Sequence, residues 1–284
     1  MRKSASPWLA LLAMALTAQG CNRVTRNIAY DPARTDSLTA LDIYPPWFGG
    51  HHPVVIFIHG GSYVEGDKST EVGAKPKEFR DAGYVFVALN YRLSPAVKHP
   101  VHIQDVAKGI AWVHHNISRY GGDSTRLFVL GHSSGASMAA LIATNESYLK
   151  AEGLGLSSLS GAILLDGSAY DIPRRFSEDS VEAHRLLAIF GDDPAAWEEG
   201  SAIYHCQKGK GIPPFLMFYL TARPGGTQQS QALASALATA GVKVEIKPIQ
   251  TVGHYKLNMD LGLETDPATA DVFSFLKTYS NPGS

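Results

Sequence analysis

Leu127-Phe-Val-Leu-Gly-His-Ser-Ser-Gly135 runs directly into Ala136-Ser-Met-Ala-Ala-Leu-Ile-Ala-Thr144. Four apolar residues, Leu127 to Leu130, read as a short buried strand. The next five give G-x-S-x-G with Ser133 at its centre, and the run from Ala136 to Thr144 has the Ala, Leu and Met content of a helix. Strand, sharp turn and helix is the context in which this motif lifts a serine hydroxyl clear of a sheet. Gly131 and Gly135 suit such a turn because a side chain there would collide with the crossing backbone. The ordinary alternative is a Gly/Ser turn before a helix, so the rest of the chain has to decide.

Working outward, Val54-Val-Ile-Phe-Ile58 is continuous and β-branched, as expected of a strand covered on both faces. It runs straight into His59-Gly-Gly-Ser-Tyr63. Tyr84 to Leu89 reads as another buried strand, followed by Asn90-Tyr-Arg-Leu-Ser-Pro95. Ser160 to Leu165 is the next and ends at Asp166. Phe215 to Leu220 follows Pro213-Pro214, and Val242 to Ile249 leads into Thr251-Val-Gly-His254. Helices are expected at Lys75–Ala82, Ile103–Ile117, Glu182–Phe190, Gln228–Ala240 and from Pro267 to about Tyr279. In the second, Val106, Ile110, Val113 and Ile117 share one face. Leu38 to Tyr44 alternates and is read as an exposed early strand.

Strands alternating with helices imply a mostly parallel sheet with helices on both faces, an α/β fold. Ligands of such sheets bind at the carboxyl ends of the strands. His59, Ser133, Asp166 and His254 each follow an expected strand, so distant residues are brought to one edge.

The chain has 284 residues, 45% of them hydrophobic and 18% charged, enough for one large α/β domain. A net charge of -1 gives no electrostatic reason to expect nucleic acid as a partner. No C-x-x-C, H-E-x-x-H or phosphate loop is present, so no metal and no cofactor is expected. Residues 1–21 read separately. Arg2 and Lys3 precede the apolar run from Trp8 to Leu16, and small residues follow, the pattern of a secretory signal. Leu16-Thr-Ala-Gln-Gly-Cys21 resembles a bacterial lipobox, which implies lipidation at Cys21 and a cell-envelope location; simple cleavage and secretion is the alternative. Of the two cysteines, Cys206 is then left as a small apolar filler.

A serine hydroxyl needs a base. His254 is the candidate, because it follows the nucleophile and any acid in chain order. His59, His102, His114, His115 and His132 are read as structural. The tetrahedral intermediate needs donors for its oxyanion. Ser134 offers one N–H, and the glycines after His59 let more backbone approach.

His59-Gly-Gly-Ser-Tyr-Val-Glu-Gly-Asp-Lys68, Asn90-Tyr-Arg-Leu-Ser-Pro95, Tyr120-Gly-Gly-Asp123 and Gly131-His-Ser-Ser-Gly135 together resemble the α/β-hydrolases. They are most similar to the carboxylesterase, feruloyl-esterase and kynurenine-formamidase group that carries H-G-G-x-W. The resemblance covers about residues 26–279. It implies an α/β-hydrolase domain over residues 22–284, with a cap near 172–212. It also implies hydrolysis of a small-molecule carboxylic ester, with aryl-formamide hydrolysis as the alternative. Ser133 would be nucleophile, His254 base, and Gly61, Ser62 and Ser134 the oxyanion donors. Tyr63 stands where the family often has Trp.

The sequence departs from the family at the acid. In Tyr219-Leu-Thr-Ala-Arg-Pro-Gly-Gly-Thr-Gln-Gln-Ser230, Arg223 occupies the place of the usual aspartate. Either the acid has moved to Asp166 on the preceding strand, with Asp171 and Asp260 as weaker candidates, or the chain is a non-catalytic member that binds a ligand. In the second case Arg223 would be suited to a carboxylate.

Overall fold

The computed structural model describes residues 23–34, 36–178 and 180–280. The signal segment and Cys21 lie outside them. Among the described residues, β1 (Thr25–Ala29), β2 (Ala40–Tyr44), β3 (His52–Ile58), β4 (Val85–Leu89), β5 (Gly122–His132), β6 (Leu159–Leu165), β7 (Phe215–Leu220) and β8 (Val244–Ile249) form one sheet. Its order is β1-β2-β4-β3-β5-β6-β7-β8. Every pairing from β4 across to β8 is parallel, and β1 and β2 join antiparallel.

The apolar runs are continuous because both faces of the sheet are covered. Side chains of successive residues point to opposite faces. Val54, Ile56 and Ile58 therefore enter one core, while Val55 and Phe57 enter another. The first is closed by α2 (Val101–Asn116), α3 (Ser134–Thr144) and α8 (Pro224–Thr239), through Val106, Ala139 and Leu233 among others. The second is closed by α1 (Lys75–Asp81) and α10 (Thr269–Ser280), through Phe79, Val272 and Phe275. The remaining helices are α4 (Glu146–Ala151), α5 (Ile172–Glu178), α6 (Ser180–Phe190), α7 (Pro194–Glu199) and α9 (His254–Met259). Helices α5, α6 and α7 occupy the stretch between β6 and β7.

One expectation is corrected. The early strand read as exposed is buried at all five positions of β2, because β1 and β4 flank it and both faces are covered. Its single charge, Asp42, made the segment look amphipathic. That carboxylate is buried and accepts from Lys68 Nζ at 2.6 Å. The sequence reading also missed β1, α4, α5, α7 and α9, all of seven residues or fewer. It started α8 four residues late, since Pro224 fits a first helical turn. Helix α10 begins at Thr269, two residues after Pro267, where the Asp266 carboxylate accepts from Ala268 N at 3.0 Å and Thr269 Oγ1 at 2.9 Å.

Candidate active site

Ser133 lies between β5 and α3 with φ 54° and ψ -120°. Such a backbone is costly for any residue with a Cβ and persists only where its surroundings fix it. Two glycines fix it here. A Cβ on Gly135 would stand 2.1 Å from the Ile58 carbonyl oxygen, and one on Gly131 2.1 Å from the Gly135 oxygen. The turn is packed backbone to backbone. Ser62 (φ 55°), Tyr63 (φ 66°) and Asp166 (φ 48°) are also left-handed. Strain of this kind therefore gathers at the carboxyl ends of β3, β5 and β6.

His254 is the first residue of α9, just beyond β8. Its Nδ1 lies 2.6 Å from Asp166 Oδ2. Asp166 follows β6 and is fully buried. The other Asp166 oxygen, Oδ1, accepts from Leu220 N at 3.0 Å. Burial pushes the Asp166 carboxyl up, but the hydrogen bond to His254, the charge of Arg223 and the hydrogen bonds from Leu220 N and Arg223 together outweigh it. The carboxyl is held below its ordinary range. The other two candidate acids are engaged elsewhere: Asp171 Oδ1 accepts from Arg174 N at 3.2 Å in the first turn of α5, and Asp260 pairs with Lys256.

Arg223 joins this pair. Its Nη1 donates to Asp166 Oδ2 and lies 3.3 Å from the Asp166 carbonyl oxygen. The same Nη1 is 2.8 Å from His254 Nδ1. A guanidinium only donates and an ionised carboxylate only accepts. Nδ1 between them has one place for a proton, and the charged acceptor favours Nδ1–H. That tautomer leaves the Nε2 lone pair available.

Ser133 and His254 both line two cavities, of about 220 Å³ and about 570 Å³. The smaller extends beneath α6, where Arg185, Leu186 and Ile189 face it. The larger opens past Gly61, Glu65 and Tyr255. Ser134 is the first residue of α3, so its N–H has no acceptor within the helix. Gly61 and Ser62 border the larger cavity with Ser133, and Ser62 and Ser134 border the smaller one with it. The expected oxyanion donors and nucleophile thus come together.

The motif residues around the site are framework. Lys68 N donates to Asn90 Oδ1 at 2.6 Å, and Asn90 Nδ2 donates to Asp67 Oδ2 at 2.7 Å. Arg92 grips Asp105 with Nε at 2.7 Å and Nη2 at 2.6 Å. His59 stacks on Tyr91 with ring centroids 4.3 Å apart, and the Tyr91 hydroxyl donates to the His59 carbonyl at 3.0 Å. These contacts fix the loop after β3 against β4.

His132, read as structural from the sequence, supports the candidate base directly. His132 packs its ring on that of His254, centroids 4.4 Å apart, and its Nε2 is 3.0 Å from the His254 carbonyl oxygen. An N–H on Nε2 donates there. Burial pushes the His132 imidazole down to about 3, with the charge of His254 adding to it. A neutral ring therefore supports the candidate base. Its place next to Ser133 in the elbow was the available signal. Cys206 is half-buried with a free thiol that burial pushes up to about 12, which makes it inert at neutral pH. Among the described residues no group of three or more His, Cys, Asp or Glu is gathered as a metal site.

A family model described as BD-FAE, a group of α/β-hydrolase esterases, matches residues 41–237. The chain belongs to the BD-FAE family. Esterase LipQ of Mycobacterium tuberculosis is 28% identical over 232 residues, which cover 76% of this chain and 53% of that protein. Kynurenine formamidase of Meyerozyma guilliermondii is 34% identical over 151 residues, 51% of this chain and 53% of that one. The chain spans about half the length of these curated relatives. Among solved structures, a truncated carbohydrate esterase from gut microbiota superposes with a TM-score of 0.74 at 21% identity, covering 93% of this chain and 98% of that one. Esterase B from Lactobacillus rhamnosis gives 0.74 at 21% identity, covering 90% and 87%. At these identities the likeness establishes the α/β-hydrolase fold. Within the BD-FAE match lie the loop after β3, the Ser133 elbow, Asp166 and Arg223; His254 lies beyond it.

Proposed function

We propose that the protein is a serine hydrolase of carboxylic esters, working through an acyl-enzyme on Ser133. The observation that carries this reading is the 2.6 Å contact between His254 Nδ1 and Asp166 Oδ2 beside a serine held at φ 54°. With Nδ1–H donated to the carboxylate, Nε2 takes the Ser133 Oγ proton as Oγ attacks the acyl carbon. The carbonyl oxygen becomes an oxyanion, and the N–H groups of Gly61, Ser62 and Ser134 are the donors aimed at it. Collapse breaks the bond to the leaving alcohol, which takes the proton from Nε2. Water then repeats the sequence: His254 accepts its proton, hydroxide attacks the acyl-enzyme, and Oγ leaves with the proton returned. One ester and one water give one acid and one alcohol.

The same machinery cleaves an activated amide. The similarity to a kynurenine formamidase over half of the chain favours aryl formamides as the second reading. The test is hydrolysis of short-chain and aryl 4-nitrophenyl esters beside an N-aryl formamide, with Ser133→Ala as control and a fluorophosphonate probe reporting the activated serine. Ester turnover and labelling that both vanish in Ser133→Ala support the reading. An unlabelled wild-type protein that turns over neither substrate would sink it, leaving the fold as a binding scaffold.

We also propose that the chain is exported and anchored to the cell envelope by lipid on Cys21. The basic start at Arg2 and Lys3, the apolar run and the small residues before Cys21 support this. Palmitate labelling of the expressed full chain, lost in Cys21→Ser, is the expected result; equal labelling, or none in either, rejects it.

A further inference from the structure

The two cavities that meet at Ser133 and His254 carry opposite charge. The larger is bordered by Glu65, Asp67 and Glu71 and by no lysine or arginine. The smaller, beneath the cap, is bordered by Arg175, Arg185 and Arg223, with Glu182 as its one carboxylate among the described residues. The three arginines come from α5, α6 and the turn before α8, so their meeting is a product of the tertiary fold.

Each guanidinium has a different assignment. Arg223 is committed to Asp166. Arg175 packs over the start of α8, close enough that a Cβ on Gly225 would stand 2.4 Å from its Nη1. Arg185 reaches from the cap to the loop after β3. Its Nη1 donates to Ser62 Oγ at 3.2 Å and lies 3.4 Å from Glu182 Oε2. Both contacts use Nη1, so the edge formed by Nη2 and Nε keeps its donors for a further acceptor. A planar pair of N–H donors matches the two oxygens of a carboxylate with parallel hydrogen bonds. Ser62 is itself one of the expected oxyanion donors, and Arg185 lines the same cavity as Ser133.

We infer that the substrate carries a second, free carboxylate, which Arg185 receives in the cavity beneath the cap. This rests on the ester-hydrolase reading and names its substrate class: an ester of a dicarboxylic acid with one acid group free, or an ester whose alcohol part bears a carboxylate. The acidic cavity on the other side repels such a group and so orients the ester across Ser133.

The test pairs charged and neutral esters of equal size. Monoaryl glutarate against its methyl ester puts the charge on the acyl side. Carboxyphenyl butyrate against its methyl ester puts it on the alcohol side. One charged member should be preferred in kcat/KM by on the order of 10-fold or more, chiefly through KM, and Arg185→Gln should erase that preference. Arg185→Lys should recover only part of it, since an ammonium lacks the fork. Ser133→Ala protein should bind monomethyl glutarate in calorimetry, more weakly once Arg185→Gln is added.

Turnover of the neutral esters with no preference for either charged partner overturns the inference and leaves the esterase reading standing. A preference that survives Arg185→Gln overturns it too. If no ester is turned over but monomethyl glutarate binds in an Arg185-dependent way, the carboxylate site stands and the esterase reading falls. Neither turnover nor binding removes both.

Discussion

Arg223, in the turn after β7, donates to the carboxylate of Asp166 at the end of the neighbouring strand β6. The residue that stands where the family resemblance leads one to expect an acid is the cationic partner of an acid one strand away. The two positions are adjacent because β6 and β7 pair in parallel, with Leu165 opposite Phe218. The Asp166 carboxylate reaches the His254 ring, and Arg223 offsets the cost of its burial.

If Asp166 sets the His254 tautomer, Asp166→Asn keeps the shape and loses the charged acceptor. Turnover of a 4-nitrophenyl ester should fall by about 10³–10⁴. Arg223→Met leaves the acid held by the Leu220 N–H but without its cationic partner, and kcat should fall by up to about 10²-fold with KM of a neutral ester little changed. Steady-state kinetics of both variants check this. Wild-type turnover in Asp166→Asn would remove Asp166 from the machinery.

Acid should erase the structural contribution of Asp166. Its carboxyl is depressed in the folded protein, so its stabilising effect is complete above the ordinary value of 3.8 and is lost as pH falls through the folded value. The gap in unfolding free energy between wild type and Asp166→Asn, read by urea titration, should therefore be constant from pH 7 to about 5 and shrink below pH 4. A gap that widens on acidification contradicts the pairing.

Lys75 titrates with a consequence of the same sign in a higher pH window. It is fully buried, donating from Nζ to the Asn258 carbonyl at 2.5 Å and to Asn258 Oδ1 at 2.8 Å. Burial pushes its ammonium down to about 7 from 10.5. Between those values the unfolded chain binds the proton more tightly, so stability rises with pH, by at most about 1.4 kcal/mol per unit. Urea unfolding at pH 7, 8 and 9 should show this rise in wild type and a weaker one in Lys75→Met.

The elbow should be intolerant of one methyl group. In Gly135→Ala the new Cβ meets two backbone oxygens, those of Ile58 at 2.1 Å and His59 at 2.5 Å. Neither can rotate away, so the sheet or the turn must move, at a cost of about 3 kcal/mol or more. A large fall in urea midpoint, or insoluble protein, is expected. Gly153→Ala, where nothing lies within 4 Å of the added atom, should cost far less and serves as the control, its φ of 78° being the sole strain.

The sequence by itself determined the architecture and the chemistry on offer. Continuous apolar runs at Val54–Ile58, Val85–Leu89 and Leu127–Leu130 report burial on both faces, because period-two side chains enter two cores. G-x-S-x-G between a strand and a helix reports the elbow, since only glycine fits where backbone meets backbone. Those signals are local: each is carried by residues within one turn or one strand. What Arg223 grips, which aspartate meets His254, and the buried pairing of Asp42 with Lys68 depend on neighbours 26 to 88 residues away. The stacking of His132 under His254 and the meeting of three arginines beneath the cap are of the same kind. Only the tertiary structure decided them, because strand order and crossover geometry set which chain segments touch, and no spacing within the chain encodes that distance.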